Sequence, residues 1–328
     1  MKKLFLLALV VVFVTVYQMQ KWSHESGPLT EIVNVVIPRG ATSRTVAARL
    51  DAAGVINKPW LFRIMARLNR LDKHLKAGEY QFSPMISMQA ALDKMARGEI
   101  FYRRITLAEG LTTREMINLL NAEPMLSGEV TLAVKEGELL PETYTYVRGD
   151  TRNSIVMQAA KAMQKVKREA WEKREPGLPL KNADEMMVLA SIIEKETAVP
   201  AERGLVASVF VNRLKKGMRL QTDPTVIYAL TRGESELERP LYKKDLSIDS
   251  PYNTYKNYGL PPTPICNPGR ASIEAAVNPE FCCQRQRRPQ FCCQSERTQP
   301  ECEGLAPPTE KISCSLRIEY GGFFMVYI

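Results

Sequence analysis

An apolar run at the N-terminus constrains this chain more than any other feature. Lys2 and Lys3 precede Leu4-Phe-Leu-Leu-Ala-Leu-Val-Val-Val-Phe-Val-Thr-Val-Tyr-Gln-Met19, and Lys21-Trp22 follows. As a helix the run is about 24 Å long, against about 30 Å for a bilayer core. Tyr17 and Trp22 at the interface and a snorkelling Lys21 make up the difference. A cleaved signal peptide would need small residues at its cleavage site, and Val14 to Gln20 offers bulky ones. A buried core helix does not fit paired lysines in front and a polar stretch behind. The expectation is an uncleaved single transmembrane anchor through residues 4–19. Its N-terminus is cytoplasmic and the body lies on the periplasmic side of the inner membrane.

The remaining chain reads as globular. Its 328 residues are 45% hydrophobic and 25% charged, enough for about two domains. The net charge of +9 is spread along the sequence without a block of five like charges, which argues against a nucleic-acid binder. It remains compatible with a negatively charged polymer or membrane surface. All seven cysteines lie at or after Cys266, so a long cysteine-free stretch suits an oxidising compartment.

Val33 to Ile37 alternates as a strand closed by Pro38-Arg39-Gly40. Thr42 or Ser43 then caps a helix with Val46, Leu50 and Ala53 at helical spacing, ended by Gly54. A second helix covers Pro59 to Leu68. An edge strand follows at 77–82, and a helix from Met88 to Met95 stops at Gly98. Arg103-Arg-Ile-Thr-Leu-Ala-Glu-Gly110 then repeats the cadence of strand, Gly, Thr and helix. These elements make a small α+β binding module over residues 30–110. Residues 124–180 carry less signal, apart from a helix from Asn153 to Trp171 and a turn at Pro176–Pro179.

The densest text comes next. Asp184 to Thr197 is a helix capped by Asn182 or Asp184, with Met186, Leu189, Ala190 and Ile193 on one stripe. Glu194 and Glu196 stand near its end and diverge by about 200°, so they cannot serve one site together. Helical periodicity does not choose between them, though carboxylates there oppose the macrodipole and are not placed for helix stability. A helix from Glu202 to Leu214 turns Val206, Val209, Phe210 and Leu214 inward and ends at Gly217. Thr222-Asp223-Pro224 starts another, with Thr222 or Asp223 as its cap. The loops Ser250-Pro-Tyr-Asn-Thr-Tyr255 and Gly259-Leu-Pro-Pro262 mix aromatic rings with amides and hydroxyls, a composition suited to sugar rings. His24 and His74 are the only histidines and lack metal-ligand spacing. No phosphate-binding loop, dinucleotide fingerprint or nucleophile elbow is found. The reading calls for no metal and no cofactor, and any chemistry must rest on a carboxylate.

Four segments carry a resemblance. Leu189-Ala-Ser-Ile-Ile-Glu-Lys-Glu-Thr-Ala198, Val206-Ala-Ser-Val-Phe-Val-Asn-Arg-Leu214, Met218-Arg-Leu-Gln-Thr-Asp-Pro-Thr-Val-Ile-Tyr228, and Tyr252-Asn-Thr-Tyr255 with Gly259-Leu-Pro-Pro262 resemble the endolytic murein transglycosylase (YceG-like) family. The N-terminal run, Ile37-Pro-Arg-Gly40 and Ala77-Gly78-x-Tyr80 are similar too. The resemblance implies an α+β fold of three parts. These are a tip and transmembrane anchor over 1–22, a LysM-like peptidoglycan-binding module over 30–110, and a larger mixed helix/strand catalytic domain over 111–280. It implies Glu196 as catalytic acid and base in a lyase reaction that cuts the β-1,4 bond between N-acetylmuramic acid and N-acetylglucosamine inside glycan strands. The sugar's own C6 hydroxyl attacks, leaving a 1,6-anhydro end and limiting nascent strand length. One glutamate suffices, where hydrolysis commonly needs two carboxylates, and burial should raise its pKa. Gln221, Asp223, Asn253 and Tyr255 are expected to position substrate. The implied partners are peptidoglycan strands, the inner membrane, penicillin-binding proteins and the division or elongation machinery. A membrane-anchored, non-catalytic peptidoglycan-binding scaffold is the alternative, and the anchor argues against a soluble metabolic lyase.

The resemblance breaks off after Asn278-Pro279-Glu280. Phe281-Cys-Cys-Gln284 is echoed by Phe291-Cys-Cys-Gln294, and neither helix nor strand period is visible up to Ile328. One reading of 281–328 is a disulfide-knotted mini-domain. The preferred one is translation out of frame: shifted by one base, Arg287-Arg288-Pro289 can encode Gly-Gly-His and Arg297-Thr298-Gln299 can encode Glu-His-Asn, both of which resemble the family's C-terminal series. Such a tail implies an incomplete site.

Overall fold

The computed structural model describes residues 2–71, 75–235 and 237–280, together with the backbone of 316–320 and 323–327. It is a mixed α+β structure. Residues 316–320 and 323–327 form an antiparallel pair in a unit of their own, so this end of the tail has the strand structure that its sequence did not reveal. The double-cysteine repeats and the out-of-frame reading lie outside the described residues.

The first helix, α1 (Lys2–His24), covers the expected anchor. Leu6, Leu7, Leu9, Val10, Val11, Phe13, Val14 and Val16 are all exposed on it. Among the described residues, however, no helix is long and apolar enough to cross a membrane. The apolar stretch is short, and the end of α1 belongs to the body instead. Met19 and Trp22 pack on the first hydrophobic core, and the Trp22 ring meets Trp60 edge-on at 6.3 Å. Trp22 is thus held by protein rather than set out as an interfacial residue.

The first core is built by β1 (Val33–Ile37), α2 (Ser43–Ala52), α3 (Pro59–Leu68), β2 (Gly78–Phe82) and α4 (Met88–Arg97). β1 and β2 pair antiparallel with Val35 opposite Tyr80, so their alternating apolar residues face the helices. Thr42 caps α2 through its side chain, Ser87 caps α4, and Gly98 closes α4 in the left-handed conformation. Leu50, Leu61, Phe62, Tyr80, Phe82, Leu92 and Met95 are fully buried between them.

The repeated cadence at 103–110 is real, and its second copy has its own partner. β3 (Arg103–Thr106) pairs antiparallel with β4 (Thr143–Tyr146), which lies in the stretch that carried little signal. α5 (Thr113–Ala122) opens with a reciprocal capping box between Thr112 and Glu115. With α6 (Arg152–Glu172) these elements enclose a second core of Leu107, Met116, Leu120, Leu139, Tyr144 and Ile155. The sheet that begins at β3 therefore goes with the residues after 110. Arg103 nevertheless reaches back and grips Glu79 of β2 with two hydrogen bonds of 2.8 and 3.1 Å.

The rest of the chain is helical: α7 (Ala183–Glu196), α8 (Arg203–Lys215), α9 (Asp223–Thr231) and α10 (Arg270–Val277). α7 is central. Every residue from Met186 to Ile193 is buried, so the expected apolar stripe is in fact a helix covered on all sides. α6, α8, α9 and α10 pack around it. Its cap is Asn182, which accepts from the amides of Asp184 and Glu185.

Truncating the first core at its centre should be costly. Phe62→Ala is expected to lose about 3–5 kcal/mol, read as a lowered midpoint in chemical denaturation followed by circular dichroism.

Candidate active site

The two carboxylates near the end of α7 have separate environments. Glu194 is almost wholly buried, with 5% of its side chain exposed. It accepts from the Arg203 guanidinium at 3.1 Å and from the backbone amide of Gly269 at 2.8 Å. Arg203 also donates to Glu109 at 3.2 Å. A Cβ on Gly269 would lie 2.0 Å from a Glu109 oxygen, so a larger residue there would push that carboxylate aside. Glu194 thus joins α7 to the start of α8, the β3–α5 loop and the start of α10, and its oxygens are committed to that junction.

Glu196 faces the other way, as the helical geometry requires. It is half-buried at the last position of α7, and its Oε2 accepts a 2.6 Å hydrogen bond from the Thr222 hydroxyl. Thr222 is the N-cap residue of α9 by position, yet its side chain makes no capping bond, because the hydroxyl is given to Glu196. A buried set of threonines fixes it there. The Thr222 amide donates to the Thr254 hydroxyl at 3.1 Å, the Thr254 and Thr225 hydroxyls are 2.8 Å apart, and Thr225 donates to the Thr222 carbonyl at 2.7 Å.

The other expected residues fall into two groups. Tyr255 and Asp223 belong together: the phenol donates to the carboxylate at 2.6 Å, so Asp223 holds a tyrosine rather than capping α9. Burial pushes the Tyr255 phenol well above its ordinary range. The hydrogen bond to Asp223 and the charges of Asp223 and Glu196 add to this, while Arg213 opposes it. Tyr255 therefore stays neutral, with its one proton given to Asp223, throughout the physiological range. Gln221 is exposed and left-handed, with φ of 52°, an uncommon conformation for a residue with a Cβ. Its amide donates to the Thr254 carbonyl at 3.2 Å, which sets the chain direction just before Thr222.

Asn253 does different work. It is fully buried; its amide nitrogen donates to the carbonyls of Leu246 and Ile248, and its side-chain oxygen accepts from the Tyr255 amide. It shapes the loop that carries Tyr255. Just before that loop in sequence, Arg239 and Asp245 pair through bonds of 2.6 and 3.0 Å. Thr222, Thr254, Arg203, Glu109 and Gly269 were missed at the level of sequence. A cation in the first turn of α8 opposes that helix's dipole and was the available signal for Arg203. Among the described residues no cluster of histidine, cysteine, aspartate or glutamate could hold a metal ion.

The two glutamates should separate by stability. Glu194→Gln leaves the buried Arg203 with only the half-exposed Glu109 as charge partner and should cost about 2–3 kcal/mol, whereas Glu196→Gln should cost less; thermal denaturation of both variants checks this. A second expectation concerns pH. The Arg239 guanidinium and the Tyr242 amide hold the Asp245 carboxyl at about 2. Because this lies below the unfolded value of about 4, its contribution is present above that pH and disappears as the pH falls through about 2. Asp245→Asn should therefore flatten the fall of the thermal midpoint over that interval.

Comparison with known proteins agrees with the motifs. The YceG-like family model matches residues 35–296, reaching past the point near 280 where the motif resemblance stops. The chain is 33% identical over 279 residues to the endolytic murein transglycosylase of Bacillus subtilis, covering 76% of each protein. It is 28% identical over 291 residues to the endolytic murein transglycosylase of Streptococcus pneumoniae D39, covering 75% of this chain and 52% of that protein, so it spans about half the length of the pneumococcal relative. The crystal structure of a YceG-like protein from Listeria monocytogenes is similar at 32% identity with a TM-score of 0.47, over 77% of this chain and 91% of that one. With a family match over most of its length and a relative of this identity, the chain belongs to the YceG-like family.

Proposed function

We propose that this protein is an endolytic murein transglycosylase, a lyase that cuts the β-1,4 bond between N-acetylmuramic acid and N-acetylglucosamine within glycan strands. The observation that carries the reading is the split between the two carboxylates. Glu194 is committed to Arg203 and Gly269, and Glu196 stands at the helix end with one oxygen held by Thr222. Family membership and the names of the relatives support the activity.

Glu196 begins protonated and gives its proton to the glycosidic oxygen as the bond from C1 breaks. The carboxylate then takes the proton of the C6 hydroxyl as that oxygen closes on C1, forming the 1,6-anhydro ring. No water is consumed, and the glutamate ends in the protonation state in which it began. The Thr222 hydroxyl orients the carboxyl group. Tyr255, kept neutral and fixed by giving its one proton to Asp223, leaves its phenol oxygen as an acceptor near the site, and Gln221 sets the approach of the chain to Thr222. A preorganised donor such as Thr222 favours charge that develops only during reaction.

The remaining parts serve placement. The module over 30–110 is a LysM-like peptidoglycan-binding unit; two antiparallel strands with helices between and behind them suit such a role. The exposed apolar side chains of α1, preceded by Lys2 and Lys3, hold the protein at the inner membrane with its body on the periplasmic side. Residues 111–280, with β3 and Leu107 joined to them, form the catalytic domain.

The test is digestion of purified glycan strands by the chain and its Glu196→Gln variant, read by mass spectrometry. Anhydro-muramyl ends are expected from the first, with a rate at least about a hundredfold lower in the second. Binding of strands without anhydro products from either protein would instead establish the peptidoglycan-binding scaffold.

A further inference from the structure

A cavity of about 540 Å³ opens at the far end of α7, between the start of that helix and the segment that follows Tyr255. Asn182, Asp184, Glu185 and Val188 form one wall, and Tyr258 to Pro262 form the other. Glu185 and Glu196 are eleven residues apart. On a helix they point within about 20° of one another, separated by about 16 Å along the axis. The cavity therefore opens on the side of α7 that carries Glu196 and away from the side that carries Glu194.

Two chain segments run from Glu196 towards it. At one end Thr222 donates to Glu196 and Tyr255 stands beside it. Three residues away on each segment, the Arg219 guanidinium lies over the Tyr258 ring at 4.6 Å. The amide of Gln221 and the carbonyl of Thr254 tie the segments together at the Glu196 end. Tyr258 is 68% exposed, a large ring presented to solvent in a loop whose side-chain amides are taken up nearby: Asn253 by carbonyls of 246 and 248, Asn257 by those of 250 and 253.

We propose that this cavity is a second subsite, which binds N-acetylated hexosamine units of the glycan strand some distance from the bond that Glu196 cuts. The proposal rests on the glycan-cleaving reading of the Glu196 site. Tyr258 gives a sugar ring an aromatic face, and Pro261 and Pro262 continue the apolar wall. Asp184 and Glu185 already face Lys167 and Lys181, but a carboxylate accepts about four hydrogen bonds. Such acceptors suit the hydroxyl and acetamido N–H donors of sugar rings. A strand engaged here and at Glu196 is gripped along its length, which favours cutting within a strand over cutting close to its end.

The test uses the full chain carrying Glu196→Gln, so that ligands persist, and calorimetric titration with two probes: N-acetylglucosamine–N-acetylmuramic acid tetrasaccharide and octasaccharide, both without stem peptides. The octasaccharide should bind more tightly. Tyr258→Ala should reduce the ratio of the two affinities about five- to tenfold, the size of one lost aromatic contact, and Tyr258→Phe should retain it. A ratio unchanged in Tyr258→Ala, or equal affinity for both probes, overturns the subsite. Turnover of the octasaccharide by the unsubstituted chain is measured in parallel. Anhydro products with an unchanged ratio remove the subsite alone, whereas their absence removes the glycan-cleaving reading and leaves the binding ratio to decide the subsite.

Discussion

The buried guanidinium of Arg203 is the contact on which the rest of the domain depends. It draws together the end of α7 through Glu194, the start of α8 on which it stands, and the loop after β3 through Glu109. Glu194 in turn holds the amide of Gly269 at the start of α10. Each of these segments has its own hydrophobic face, but burial is non-directional and does not fix where one helix end lies against another. Paired charges out of water do fix it, because any displacement leaves one of them unmatched. The position of Glu196, two residues beyond Glu194, follows from that junction.

Much of the first half was legible because local rules sufficed. Thr42 announces a helix that begins where its side chain can cap it, and Gly98 ends another in the conformation glycine favours; the caps Ser87 and Thr112 follow the same rule but were not picked out. β4 was not legible. Its four residues, Thr143 to Tyr146, alternate too briefly to stand out, and their strand character comes from pairing with β3 some forty residues away in sequence. α7 was recognised as a helix but taken as amphipathic. Met187, Val188 and Ile192 lie off the stripe, and only the surrounding helices make a dry environment for them.

The site divides along the same line. The motifs singled out Glu196, Asp223 and Tyr255, and the structure brings these three together. Thr222 was hidden behind an ordinary explanation, since a threonine before Asp-Pro reads as a helix cap, and only the fold reveals that its hydroxyl is turned elsewhere. Arg203 and Glu194 each stand against the dipole of its own helix, though only the glutamate drew notice in the sequence. The two anomalies resolve each other, for a cation at the start of α8 meets an anion at the end of α7. The loop amides that suggested sugar contacts act mostly within the loop, where a buried polar group needs a partner more than a ligand does.

The opposed directions of Glu194 and Glu196 have a mechanical consequence. The last turn of a helix usually frays first, and a catalytic group placed there would sample many orientations. Here the turn is fastened from two sides, by Arg203 and Gly269 on one flank and by Thr222 on the other. Untwisting to release one carboxylate would drag the other out of its contacts, so the terminus behaves as a keyed shaft rather than a free end. Under the proposed reading, adaptation between protein and polymer comes from the polymer, whose linkages can rotate, while Glu196 stays where it is.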